Sequence, residues 1–131
     1  MAKAGVTQRV DEMRVKEVEA YRLAILTHLT SWLEDVTEVK GNPEESDSAS
    51  IAGWLRQAVD RLSQLEPKPE EDEIGADGAL MLRSAAHLMF RASQYAGSEQ
   101  AAEWRCVRAA STALDEASRD FASWGRYVRR G

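Results

Sequence analysis

A single cysteine, Cys106, has no partner for a disulfide within the chain. The fold therefore does not depend on oxidation, and a cytosolic setting is expected. Only three prolines occur, Pro43 in GNPEES and Pro67 and Pro69 in EPKPEEDE, so residues 1–42 and 70–131 hold none. Helices are free to run through both stretches. No apolar run approaches the roughly 18 residues that cross a bilayer. The opening MAKAGVTQRV carries no apolar core of a signal peptide. No membrane partner is expected.

The usual chemical constellations are missing too. Two histidines and one cysteine are few ligands for a conventional zinc site. Di-metal helical bundles need Glu-x-x-His pairs, but Ile25 stands three before His28 and Ser84 three before His87. Gly75 and Gly78 in EIGADGAL are not followed by Gly-Lys-Ser/Thr, which excludes a phosphate loop. No Gly-x-Ser-x-Gly elbow is present, and Ser31 and Ser84 lack a third orienting group beside the histidines. Neither a metal nor a cofactor is expected.

What the chain does carry is helical periodicity. Val107, Ala110, Leu114, Ala117, Phe121, Trp124 and Val128 alternate three and four residues apart, a seam that packs one helix lengthwise on its neighbours. Four helices are predicted, over about 7–39, 48–66, 77–96 and 98–128. On the first, Val6, Val10, Met13, Tyr21, Ala24, Ile25, His28, Leu29, Trp32, Val36 and Val39 share a face, which makes His28 a core histidine. The second carries Ile51, Leu55, Ala58, Leu62 and Leu65, widened by Trp54 and Val59 and weakened slightly by Gly53. The third has Met81, Ala85, Leu88, Ala92 and Tyr95, with Leu82 and Met89 alongside. Asp77 is expected to cap the third helix, Gly97 to end it and Ser98 to cap the fourth, giving a tight hairpin. Residues 67–74 read as a solvated, flexible acidic linker with no side chain able to join a core.

These features predict an all-α protein: one antiparallel four-helix bundle domain over residues 1–131, with two long and two shorter helices and a C-terminal helical hairpin. Long helices of roughly 50 and 45 Å overhang short ones of about 27 and 30 Å, and a homodimer would cover the excess.

Charge is unevenly divided. The net charge is −5, but residues 1–73 carry −7 and residues 74–131 carry +2, with every basic residue in the second part an arginine. The acidic total argues against general nucleic-acid binding, and arginine suits bidentate and stacked contacts.

Arg83 and His87 are the best chemical pair, four apart in RSAAH and so on one helical face. Together with a helical bundle of this size and an expected dimer, the pair resembles HEPN-type ribonucleases, four-helix bundles with an arginine and a histidine close together on a late helix. That family usually separates its pair by four to six residues, and here Ser84, Ala85 and Ala86 intervene. The resemblance implies that His87 would assist proton transfer from the ribose hydroxyl and Arg83 would stabilise the phosphate.

Phe90 projects away from its helix's seam among Arg83, His87 and Gln94, the composition of an interface hot spot. Trp104 lies off the last seam beside an arginine stripe of Arg108, Arg119, Arg126 and Arg130, interrupted by Asp115. The plain alternative for both aromatics is packing under a neighbouring helix, and for the stripe a solvated face. The expected function is a small non-catalytic protein–protein interaction protein of the inhibitor, immunity, adaptor or complex-subunit type. Its contact residues would be Arg83, His87, Phe90, Trp104, Arg108, Arg119 and Arg126. The alternatives are a HEPN-like ribonuclease using Arg83 and His87, or a small helical subunit of a nucleoprotein complex.

Overall fold

Seams at three-and-four spacing become four helices: α1 Ala2–Thr37, α2 Ser48–Leu62, α3 Glu73–Tyr95 and α4 Gln100–Arg130. A computed structural model describes the backbone of residues 2–37 and 47–130, and the side chains of residues 12, 14–34 and 47–126. Among the described residues there is no strand, and the helices pack as a bundle. The expected end of the first helix at Val39 lies outside the described residues.

The ends of the elements differ from expectation where connectors take part in packing. α2 stops at Leu62 rather than 66, with Ser63 and Gln64 in a closing turn whose amides bond Val59 and Arg61 carbonyls. Pro67 would clash with the carbonyl four residues back, so the helix cannot continue to it. At its other end Asp47 accepts a 2.7 Å bond from the Ser50 amide, which holds its carboxyl below the usual range.

α3 starts at Glu73, ahead of the expected Asp77 cap, which is instead exposed in the helix. The linker 67–74 is not a free solvated strip. Pro69–Glu71 forms a 3-10 turn, and Pro69 is fully buried against α3. A Cβ on Gly75 would stand 2.1 Å from the Pro69 carbonyl oxygen, so only glycine admits this approach.

α4 starts at Gln100, with the Glu99 carbonyl accepting the Glu103 amide, so Ser98 is not its cap. The Ser98 hydroxyl turns back to the Tyr95 carbonyl instead. Gly97 sits in the left-handed region at φ 83°, ending α3 as its position predicts.

α3 and α4 share the largest interface; α1 packs chiefly on α4, and α2 on α3. The senses follow from contacts at both ends. Arg22 meets Glu103 near the start of α4, and further along both helices Trp32 stacks on Phe121. α1 and α4 therefore run in the same direction. Ser48, at the head of α2, also bonds Glu103, close to where α3 ends. α3 thus runs antiparallel to both α2 and α4, and α1 is parallel to α4.

The α4 seam from Val107 to Trp124 is buried, as are Ile51, Leu55, Ala58 and Leu62 of α2. On α3 the buried line is Gly75, Gly78, Leu82, Ala85, Met89 and Ala92, with Met81, Leu88 and Tyr95 half-buried beside it. This shift from the expected centre reflects neighbours on two sides, α2 and α4, rather than one. α1 buries Val18, Ile25, Leu26, Leu29, Trp32 and Leu33, whereas His28 is exposed and not a core histidine. The side chains of Val6, Val10, Met13, Val36 and Val128 lie outside the described residues.

At 36 and 31 residues, α1 and α4 reach about 54 and 46 Å, against about 22 Å for α2 and 34 Å for α3. α1 extends past the head of α4, where Glu12 and Arg14 to Glu17 are all exposed.

Candidate functional site

Side chains one position after four buried residues of α2 and four of α3 face a shared gap. Ala49, Ala52, Arg56 and Val59 follow the buried Ser48, Ile51, Leu55 and Ala58, with Gly53 between. On α3, Arg83, Ala86, Phe90 and Ser93 follow Leu82, Ala85, Met89 and Ala92, with His87 one place further. Because the flanking positions nearest the contact are alanine or glycine, the two helices meet without filling the space between them. The result is a groove of about 480 Å³. A Cβ on Gly53 would meet nothing within 4 Å, so this glycine opens the groove rather than permitting a close contact.

The walls are basic and partly aromatic. Phe90 is 48% exposed, too much for an aromatic that packs beneath a neighbouring helix. Arg56, Arg83 and His87 stand beside it, and among the described residues no acidic side chain lines the groove. Arg83 is ion-paired with Glu70 from the 3-10 turn, both side chains being about half exposed. Solvent screening limits such a pair to about 0–1 kcal/mol. The opposite sign collects elsewhere: near the packed α3/α4 face, burial pushes the Asp120 carboxyl above its usual range, with Asp77 and Glu116 adding to it.

Of the seven expected contact residues, the fold brings together Arg83, His87 and Phe90. The other four lie on α4 and line no part of the groove. Trp104 is half-buried against the core, and Arg108 covers its ring with the guanidinium carbon 5.3 Å from the centroid. Arg119 donates to Asp115 at 2.7 Å and Arg126 to Ser123 at 3.4 Å. These arginines are engaged within their own helix, and Trp104 is not an open aromatic edge.

Sequence reasoning missed Arg56 and the small-residue floor. The signal was present as a second stripe on α2, Ala49, Ala52, Gly53 and Arg56, at the same helical spacing as the seam beside it. Also missed was a buried polar cluster joining three helices. Arg22 Nε donates to Ser48 Oγ at 3.0 Å, Arg22 Nη2 pairs with Glu103 Oε2, and Ser48 Oγ donates to that same oxygen at 2.8 Å. Glu103 is 5% exposed. Its partners are all its own chain's, which makes the triangle a clamp between α1, α2 and α4.

Among the described residues, no group of three or more His, Cys, Asp or Glu side chains is arranged to hold a metal ion. Nor is any described helix long and apolar enough to cross a membrane. Protein-family models, curated proteins and solved structures offer no match to this chain, so the α2/α3 groove stands as the candidate site on its own geometry.

Proposed function

We propose that this chain is a small non-catalytic binding protein that takes a segment of a partner protein into the α2/α3 groove. The observation that carries the reading is Phe90, half exposed over a floor of alanine and glycine between two helices. An aromatic anchor beside a pocket, flanked by arginine, is the composition of interface hot spots. Grooves between helices commonly receive a partner helix. The ribonuclease reading draws on the same Arg83 and His87. Binding is favoured because the groove floor is apolar and Phe90 stands exposed beside it.

The test is a photo-crosslinker, p-benzoylphenylalanine, in place of Phe90, with Arg126 as control position, in cells that make the protein. Discrete adducts are expected at position 90 and not at 126. A Gly53→Trp change, which meets no neighbour at its Cβ and projects into the groove, is expected to abolish them. Adducts that survive Gly53→Trp, or that form equally at 126, overturn the reading.

The proposal includes a homodimer in which a second chain covers the exposed extension of α1, where Val15 is 38% exposed. A light-scattering mass of about twice the 14.6 kDa chain is the expected result, and the mass of one chain would refute it.

A further inference from the structure

We infer that the occupant of the α2/α3 groove is an acidic amphipathic helix of a partner protein, and that Glu70 holds part of its place while the groove is empty. The inference rests on the binding reading above and names the chemistry of the partner.

Shape points to a helix. Leu80, Arg83, His87 and Phe90 alternate three and four residues apart along the outer side of α3, and all four are exposed. Leu80 is the more exposed of the two apolar members, at 56%. This is a seam turned outward, the spacing by which one helix receives another. The alanine and glycine floor lets a helix approach closely, and Phe90 and Val59 supply the apolar contact.

Charge selects which helix. The chain as a whole carries −5, yet among the described residues this groove is lined by Arg56, Arg83 and His87 and by no acid, the Glu70 carboxylate reaching Arg83 from the turn outside it. A helix with acidic flanks is attracted by Arg56 and Arg83, whereas a basic one is repelled by them.

Glu70 supplies the second observation. Its carboxylate is already on Arg83, delivered by the 3-10 turn that the buried Pro69 anchors on α3. The arginine therefore accepts a carboxylate from outside its own helix in this fold. Both partners of the pair are about half exposed, so a carboxylate on an incoming helix exchanges with Glu70 at little cost.

The experiment uses three fluorescent helical peptides of about 14 residues, sharing one leucine stripe and differing only in glutamate, glutamine or lysine on the flanks. Binding to the full chain is followed by anisotropy. The glutamate peptide is expected to bind about tenfold tighter than the glutamine peptide at low salt, with the advantage shrinking as salt is raised. Glu70→Gln is expected to tighten the glutamate peptide by about threefold, because the internal competitor is gone. Arg56→Glu with Arg83→Glu, both at exposed positions, should erase the charge preference while circular dichroism shows an unchanged helical fold.

Equal or tighter binding of the glutamine or lysine peptide, abolished by Gly53→Trp, overturns the acidic partner and leaves the groove reading intact. Absence of peptide binding, or binding that Gly53→Trp does not disturb, overturns this inference. If adducts at position 90 also persist in Gly53→Trp, the binding reading falls with it. A single-stranded RNA oligonucleotide that binds through Arg56 and Arg83 in place of the peptides also overturns the acidic helix.

Discussion

Arg22→Met is expected to destabilise the bundle by about 3–5 kcal/mol, a large part of the about 5–15 kcal/mol that holds a domain of ordinary size folded. The loss does not come from the missing attraction alone. Glu103 is 5% exposed and Ser48 is fully buried, so removing the guanidinium strands a carboxylate with one hydroxyl for company. Desolvating an unpaired charge costs more than a buried ion pair gives when intact. The corner where α1, α2 and α4 meet should open first, seen as faster amide exchange around Ser48 and Glu103, with a melting temperature lower by about 10–20 °C. The diagnostic companion is Arg22→Met with Glu103→Leu and Ser48→Ala, which replaces the whole polar triangle by apolar groups. That variant is expected to recover most of the loss in urea denaturation, because no charge remains buried. A triple variant as unstable as the single one would show that the polar triangle is not the cause.

Phe121→Ala is expected to cost about 3–5 kcal/mol by the same denaturation assay, through a cavity instead of a charge. Phe121 is almost wholly buried, stacked on Trp32 at 4.7 Å between centroids and set edge-on to Trp124 at 6.4 Å. Its ring also faces Gly78 of α3, where a Cβ would come within 3.0 Å of the ring and 3.2 Å of the Asp120 Cβ. One residue thus fills the space among α1, α3 and α4. This geometry predicts a specific coupling. Gly78→Ala alone crowds the ring, but in the Phe121→Ala background it partly fills the vacancy and gains the roughly 1 kcal/mol by which alanine exceeds glycine in a helix. The double variant should therefore lose clearly less than the two single changes added together, the 3.2 Å approach to the Asp120 Cβ being common to both backgrounds. Additive losses would show that the ring does not set the α3/α4 spacing.

Periodicity made the helices and most of their inward faces legible in the chain itself. The run from Val107 to Trp124 and the line Ile51, Leu55, Ala58 and Leu62 needed no tertiary information, because a repeat of three and four can bury only one side of a helix. Gly97 ended α3 for an equally local reason, its left-handed backbone. Arg83, His87 and Phe90 were likewise legible as one outward face, since residues three, four and seven apart on a helix are neighbours.

Contacts between segments distant in sequence decided the rest. Pro69, read as solvated, is buried because Gly75 leaves room for its backbone, a fit that appears only when the turn lies on α3. Nothing in the spacing of Arg22 or Glu103 marks them as a pair, and their burial depends on α1 and α4 running in the same direction. Arg56 joined Phe90 only once α2 lay antiparallel to α3, bringing two stripes of small residues to one gap. An amino-acid chain encodes which side of each helix avoids water, because that depends on spacing along one element. Which helix covers that side, in which direction and at what distance, depends on complementary shapes and charges contributed by several elements, and those exist only after packing.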